Sequence, residues 1–159
     1  MSTKHPAATG PDVAPRGCTN LKLRQITRRV SRHYDAVVAP SGLKTTQYSL
    51  LSHIVSMGPV RPSDLAATMN LDNSTLTRNL QPLVAQGWVE VGEGGDARSR
   101  LVSITEAGRT KRAEAQRLWK QAQMALNQQL GIERVARLHA LLDECMALMD
   151  SSDEGESDE

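Results

Sequence analysis

The sequence has no phenylalanine, and only two tyrosines and two tryptophans among its 159 residues. A core made by this chain must therefore rest on Leu, Val, Ile, Ala and Met. Cysteine is also scarce. Cys18 and Cys145 form neither a CxxC pair nor a disulfide framework, which argues against a disulfide-stapled secreted protein. No apolar run approaches the length of about 18 residues that a membrane helix needs. The first 17 residues lack the apolar stretch of a secretory leader. The expectation is a cytoplasmic protein with no membrane partner. The four histidines, His5, His33, His53 and His139, show no metal-ligand spacing with one another or with cysteine. No nucleophile–base pair, phosphate loop or paired-carboxylate motif appears either. The reading is of a chain with no metal and no cofactor, and not an enzyme.

Charge of one sign is lacking only on average. The chain holds 19 basic and 18 acidic residues, a formal +1. Residues 150–159, DSSDEGESDE, hold six of the acids and no base, so residues 1–149 carry 19 basic against 12 acidic residues, a formal +7. A basic body suits a nucleic-acid partner; a soluble surface with a solvated acidic tail is the plainer account of the same numbers.

Punctuation by Pro and Gly divides the chain. Residues 1–17 read as a flexible arm. A helix is predicted from about Asn20 to Ala39, with Leu23, Ile26, Val30, His33 and Val37 on one seam at spacings of 3, 4, 3 and 4. Arg24, Arg28 and Arg32 form a separate basic stripe on it. Thr46 to Met57 is a second helix, with Leu50, Leu51, Ile54 and Val55 inward. Pro62-Ser63-Asp64 opens a short helix carrying Leu65, Ala66 and Met69. Leu71-Asp72-Asn73-Ser74 turns into another that ends before Gly87, a C′ glycine, with Leu76, Leu80, Leu83 and Val84 as its apolar side. Pro82 within it removes one backbone donor and is expected to kink it. Trp88 to Val91 and Leu101 to Ile104 read as strands around a glycine-rich loop. Thr105 caps a long helix reaching about Leu130, with Ala115, Leu118, Ala122 and Ala125 on one side. After Gly131 a last helix places Val135, Leu138, Leu142, Cys145 and Met149 on a second heptad-like seam, where Cys145 reads as a small core residue.

Short helix, tight turn, second helix, hairpin: this order is that of a winged helix-turn-helix. The fold class expected is mainly α (α+β), with a two-stranded wing and N- and C-terminal dimerisation helices. Such a fold reads the major groove through the N-terminal residues of its second helix, here Asp72, Asn73, Ser74, Thr75, Thr77, Arg78 and Asn79. Ser63 on the preceding helix joins them as a DNA-contacting candidate. Arg98 and Arg100 near the hairpin tip can meet the backbone or enter the minor groove. Asp96 is better suited to orienting a neighbouring arginine, Arg98 or Arg78.

The stretch LDNSTLTRNLQPLVAQGWVEVGEGGDARSRLVSITEAG resembles the core of MarR-type (multiple-antibiotic-resistance regulator) winged-helix transcription factors. TLTRNL is similar to their recognition helix, DARSRLVSIT to their Asp-x-Arg wing, and GLKTTQYSLL to the entry of their second helix. The resemblance covers roughly residues 20–149. It implies a homodimer with interleaved terminal helices, usually a repressor that a small ligand or oxidation releases from double-stranded DNA with a palindromic operator. The division that follows is an arm over 1–17, a single domain over 18–149 and an acidic tail over 150–159. Within the domain the DNA-binding core spans about 46–105, and 18–40 and 106–149 supply the dimerisation helices.

In the resembled family effectors sit between the dimerisation helices and the reading heads. Arg24, Arg28, His33, Tyr48 and His53 are the candidate polar groups there, for a small aromatic or anionic effector. Cys18, just before the first helix, is a redox candidate, although Lys22 stands where hydroperoxide sensors of the family carry a tyrosine. Two further readings stay open: a redox-sensing regulator using Cys18, and a winged-helix protein-interaction module without DNA binding. The tail could also compete weakly with phosphate for the basic surface, solubility being its simpler role.

Overall fold

A computed structural model describes residues 14–92 and 100–153. Its elements run α1 (Thr19–Val38), a 3-10 turn (Ala39–Ser41), α2 (Thr45–Met57), α3 (Pro62–Thr68), α4 (Asn73–Ala85), β1 (Val89–Gly92), β2 (Leu101–Ile104), α5 (Glu106–Leu130) and α6 (Ile132–Asp153). The fold is thus mainly helical with one two-stranded antiparallel hairpin, as the order of periodic segments predicts.

The core forms where α2, α3, α4 and the hairpin pack on one another, with α5 laid against α2 and contributing Ala115. Leu51, Ile54, Leu65, Leu76, Leu83 and Val102 are fully buried there. A short bridge that sequence reading does not anticipate closes its edge: Val60 and Val102 exchange backbone hydrogen bonds of 3.0 and 2.8 Å. Val60 thereby adds a one-residue third rung to the wing sheet. Two β-branched residues facing each other across a bridge are favoured by cross-strand packing, but one rung is too short to leave a period in the sequence.

The α1–α2 corner is built on a buried serine. Ser41 Oγ donates to Val38 O at 2.7 Å and accepts from Leu43 N at 3.2 Å. Gly42, at φ +77°, supplies the left-handed residue that the turn requires. Lys111 on α5 reaches over the Trp88 ring and donates to Ser41 O at 3.0 Å. The corner, the wing base and α5 are tied together at that point.

Some predicted faces differ from those observed. On α1 the buried residues are Tyr34 and Val38, whereas Leu23 and Ile26 are exposed and Val30, His33 and Val37 half-buried. α1 packs along α5 through its C-terminal half: His33 Nε2 lies 2.8 Å from Ala122 O, and Tyr34 OH donates to Gln123 Oε1 at 2.5 Å. The 3,4 seam is a real stripe, but a neighbour within the chain covers only one end of it. Val84 is 40 % exposed, because α4 turns its Leu76–Leu80–Leu83 row inward and Val84 falls past that row's edge. Ala125 is exposed, while Ala115 and Ala122 are buried. On α6, among the residues whose side chains are described, only Val135 is buried. Leu138, Leu142 and Met149 are exposed, and so is Cys145, which is therefore not a core residue of the single chain. α4 runs through Pro82 to Ala85 as one helix. The lost donor leaves the Arg78 carbonyl without its i+4 partner but does not end the helix.

The tightest approach in the fold is at Gly108, in the first turn of α5. A Cβ placed there would sit 2.0 Å from Trp88 O and 2.8 Å from an Ile104 side-chain carbon. Backbone cannot retreat as a flexible side chain can. Gly108→Ala is expected to destabilise the fold by about 1–3 kcal/mol, the usual cost of overpacking, and to lower Tm by several degrees in a thermal melt. A melt superimposable on that of the unsubstituted protein would show that the contact has slack.

Candidate nucleic-acid interface

The polar face of α4 begins at its cap. Asp72, in extended conformation, accepts Thr75 N–H at 2.7 Å on Oδ1, the side-chain cap of an N-terminus. The same carboxylate accepts Ser74 Oγ–H at 2.6 Å and Thr75 Oγ1–H at 2.7 Å. These three donors favour the ionised form and hold the Asp72 carboxyl well below the usual carboxylate range, the Ser74 hydroxyl contributing most. Thr77 Oγ1 donates to Asn73 O at 2.8 Å. The hydroxyl protons of Ser74, Thr75 and Thr77 are thus all used within the helix.

That division separates the sequence candidates. Asp72, Ser74 and Thr75 make a pre-formed first turn. The side chains of Asn73, Arg78 and Asn79 are exposed and make no hydrogen bond to another described side chain. Leu76, Leu80 and Leu83 anchor the opposite face at 0, 6 and 0 % exposure. An apolar row that cannot rotate fixes which way the polar row points. Ser63 is exposed in the first turn of α3, and Arg100 is exposed at the start of β2. Asp96 and Arg98 lie outside the described residues.

The end of α4 is locked to the hairpin. Gly87, at φ +71°, follows the helix. Its N–H donates to Val84 O at 2.9 Å, and Trp88 N–H donates to Leu83 O at 3.0 Å. These are the two bonds of a Schellman close. They explain why β1 starts at Val89 rather than at Trp88, whose N–H is already committed to the helix. Trp88 O then accepts Thr105 N–H at 3.1 Å. Thr105 Oγ1 donates to Gly87 O at 2.7 Å and accepts Gly108 N–H at 3.0 Å, capping α5. Below the tip the strands pair Val89 with Ile104 and Gly92 with Leu101, so the wing leaves the body at a fixed angle to α4. Sequence reading finds the cap at Thr105. It does not find the second bond to Gly87, whose only trace is a Thr followed three residues later by Gly.

The candidate effector residues are not brought together. Arg24 and Arg28 are exposed on α1. His33 rests against the α5 backbone and edge-on to Tyr34. His53 Nδ1 lies 2.8 Å from Ser49 O, within its own helix. Tyr48 is buried, and its ring lies 5.8 Å from that of Trp119. The Tyr34 ring also packs on Trp119, at 6.3 Å, so three aromatic rings meet at the α1–α2–α5 junction. Burial pushes the Tyr34 hydroxyl up from its ordinary pKa. A separate apolar cleft of about 310 Å³ opens between α1, α5 and α6, lined by Leu23, Ile26, Tyr34, Leu126, Leu138 and Leu142 among others; none of the five candidates lines it. Cys18 is exposed at the residue preceding α1 and makes no side-chain cap. Among the described residues no group of His, Cys, Asp and Glu could hold a metal ion, and no helix is long and apolar enough to cross a membrane.

The comparison with known proteins now has a geometry to meet. Residues 41–99, which contain α2 to α4 and the start of the wing, match the family model described as MarR family. The transcriptional regulator MosR of M. tuberculosis, in complex with DNA, is 33 % identical in sequence; the alignment covers 84 % of this chain and 98 % of that one, with a TM-score of 0.72. This chain belongs to the MarR family. The multiple antibiotic resistance protein MarR of Escherichia coli (strain K12) is 27 % identical over 122 residues, 76 % of this chain and 85 % of that protein. The repressor CouR bound to p-coumaroyl-CoA shares the fold at 20 % identity and a TM-score of 0.74, covering 81 % of this chain and 91 % of CouR. Membership of the MarR family places the chain among DNA-binding transcriptional regulators with a winged helix.

The Asp72 cap makes a testable demand. A carboxyl whose folded-state pKa is depressed stabilises the fold above its unfolded pKa and loses that contribution as the pH falls. Asp72→Ala should melt at lower temperature than the parent at neutral pH. The gap should begin to close as the pH drops through the ordinary carboxylate range near about 4. Asp72→Asn, which keeps a capping oxygen, should recover much of the neutral-pH loss. Melts by circular dichroism across this range would decide, and a gap independent of pH would assign the loss to something other than the ionised cap.

Proposed function

We propose that this MarR-family chain is a repressor that binds a palindromic operator as a homodimer, reading it with α4 and the wing, and that a small ligand releases it. The observation that carries the reading is the α4 face. Its pre-organised cap, its inward leucine row and its outward Asn73, Arg78 and Asn79 suit insertion into a major groove, where Arg and Asn are the side chains best matched to guanine and adenine edges. Ser63, Ser74, Thr75 and Thr77 offer oxygens at the same surface, Asp72 positions Ser74 and Thr75, and Arg98 and Arg100 on the wing would reach the flanking backbone or minor groove, with Asp96 orienting Arg98 or Arg78. The direct test is Arg98→Ala. It should weaken operator binding by about 1–3 kcal/mol, the scale of one good groove contact, in fluorescence anisotropy with DNA from upstream of the gene. Unchanged affinity in a folded, dimeric variant would remove the wing from the reading.

The dimer is supported by the exposed apolar row of α6 and the uncovered half of the α1 seam. Leu23, Ile26, Leu138, Leu142, Met146 and Met149 are between 37 and 71 % exposed. Exposure of that kind marks an association surface, and a two-fold dimer supplies two reading heads for a palindrome. Leu142→Asp would place an unpaired charge in that seam. Sedimentation should then show a monomer or an unfolded chain, and a stable full-size dimer would count against the assignment.

For release, CouR with p-coumaroyl-CoA shows one protein of this fold taking an aromatic, anionic ligand, the class proposed for this chain. Oxidation at exposed Cys18 is the second reading. DNA release by an organic hydroperoxide that vanishes in Cys18→Ser, without response to aromatic acids, would favour it.

A further inference from the structure

Beside the reading face lies a small cleft that the residues named so far do not explain. Lys44, Thr46, Gln47 and Leu50 of the α2 region line one wall, and Arg78, Asn79 and Pro82 of α4 line the other. Its volume is about 180 Å³, below the range of about 300–1,000 Å³ typical of pockets for drug-sized ligands. Two cations line it, Lys44 at the cap of α2 and Arg78 on α4, and among the described residues no carboxylate does. The nearby acid Asp35 is committed elsewhere, its Oδ1 accepting Thr45 N–H at 2.8 Å. Gln47 Oε1 accepts the Lys44 N–H at 2.9 Å, so the amide NH₂ of Gln47 stays available as a donor. Lys44, Thr46, Arg78 and Asn79 are all exposed. The cleft therefore presents donors and positive charge on both walls.

We infer that this cleft seats a backbone phosphate of the DNA duplex, and that Lys44 is a phosphate-positioning residue lying outside the helix-turn-helix itself. The inference rests on the DNA-binding reading of α4. It extends the interface sideways, from a groove-reading helix to the adjoining strand of the backbone. Phosphodiester oxygens accept from ammonium, amide and hydroxyl donors alike, and such contacts fix register without reading sequence. Pro82 has a place in this arrangement. It lines the cleft with an apolar ring and carries no N–H of its own. A phosphate at this point would lock α2 to α4 across the front of the domain, where the protein provides no salt bridge among its described residues.

The test uses the full chain and two duplexes, one from upstream of the gene and one of unrelated mixed sequence. Each phosphate contact contributes about 0.9 to the slope of log affinity against log salt. Lys44→Ala removes one contact per protomer, so a dimer should lose about 1.8 from that slope. Between 50 and 200 mM salt the affinity ratio of parent to variant should then shrink by about tenfold, to the same extent on both duplexes. Lys44→Arg should restore the slope. A parent slope retained in Lys44→Ala overturns the inference, as does a loss confined to the upstream duplex, which would make Lys44 a base reader. If the unsubstituted protein binds neither duplex, the DNA-binding reading fails first and this one with it.

Discussion

The polar face of α4 and the base of the wing are held together at one joint, at Gly87-Trp88 and Thr105 to Gly108. Four hydrogen bonds meet there: Trp88 N–H to Leu83 O, Thr105 N–H to Trp88 O, Thr105 Oγ–H to Gly87 O, and Gly108 N–H to Thr105 Oγ1. They join the end of α4, the base of the wing and the start of α5. Backbone groups buried in a turn must be paired, and here each pairing also serves as a structural tie. Gly108 lets α5 come close enough to make the set. Lys111 then extends the tie to the α1–α2 corner through the Trp88 ring and Ser41 O.

Much of this fold is legible in the sequence because it rests on local chemistry. The helix order, the C′ glycine at 87, the cap at Thr105 and the strand at Leu101–Ile104 all follow from side chains acting within a few residues of themselves. What is less legible depends on contacts distant in sequence. Val60 meets Val102 across a single rung. Tyr34 and Val38, rather than Val37, turn toward α5, because α1 crosses α5 at an angle that a 3,4 seam alone does not specify. Val84 sits on the apolar side by spacing yet lies beyond the packed row. Cys145, Leu138 and Leu142 keep the period of a buried stripe, but among the described residues of the single chain they stay exposed. For the candidate site the same division holds. The polar face of α4 is written in one helical turn. The cleft across to Lys44 joins residues more than thirty positions apart, and neither half of it has a motif of its own.

The aromatic content has a further consequence. A chain with four aromatic residues places three of them, Tyr34, Tyr48 and Trp119, in one cluster where α1, α2 and α5 meet, and the fourth, Trp88, at the joint. Large rings carry more buried area and more shape than aliphatic side chains, so they set the distances between the helices that they separate. Tyr34 adds a hydrogen bond to Gln123 on α5, and a buried phenol that loses its partner carries a desolvation cost. The spacing of α1, α2 and α5 at their junction is therefore set by these rings.

That placement bears on how release would operate. α5 runs from the joint at Thr105 past Trp119 to Gln123, so it touches both the aromatic cluster and the end of α4 through one rigid element. A ligand that separated Tyr48 or Tyr34 from Trp119 would have to move α5 or α2, and the four-bond joint would carry the displacement to α4 without a flexible link. Breaking the joint instead would give up its four hydrogen bonds, at about 0.5–1.5 kcal/mol each. Moving the two reading heads of a dimer as rigid bodies avoids that cost. It needs only a mismatch with major-groove spacing, roughly 34 Å between half-sites. On the proposed reading, then, the strength of the joint is what makes the regulator responsive. A looser hairpin base would absorb the motion locally and leave α4 in its groove.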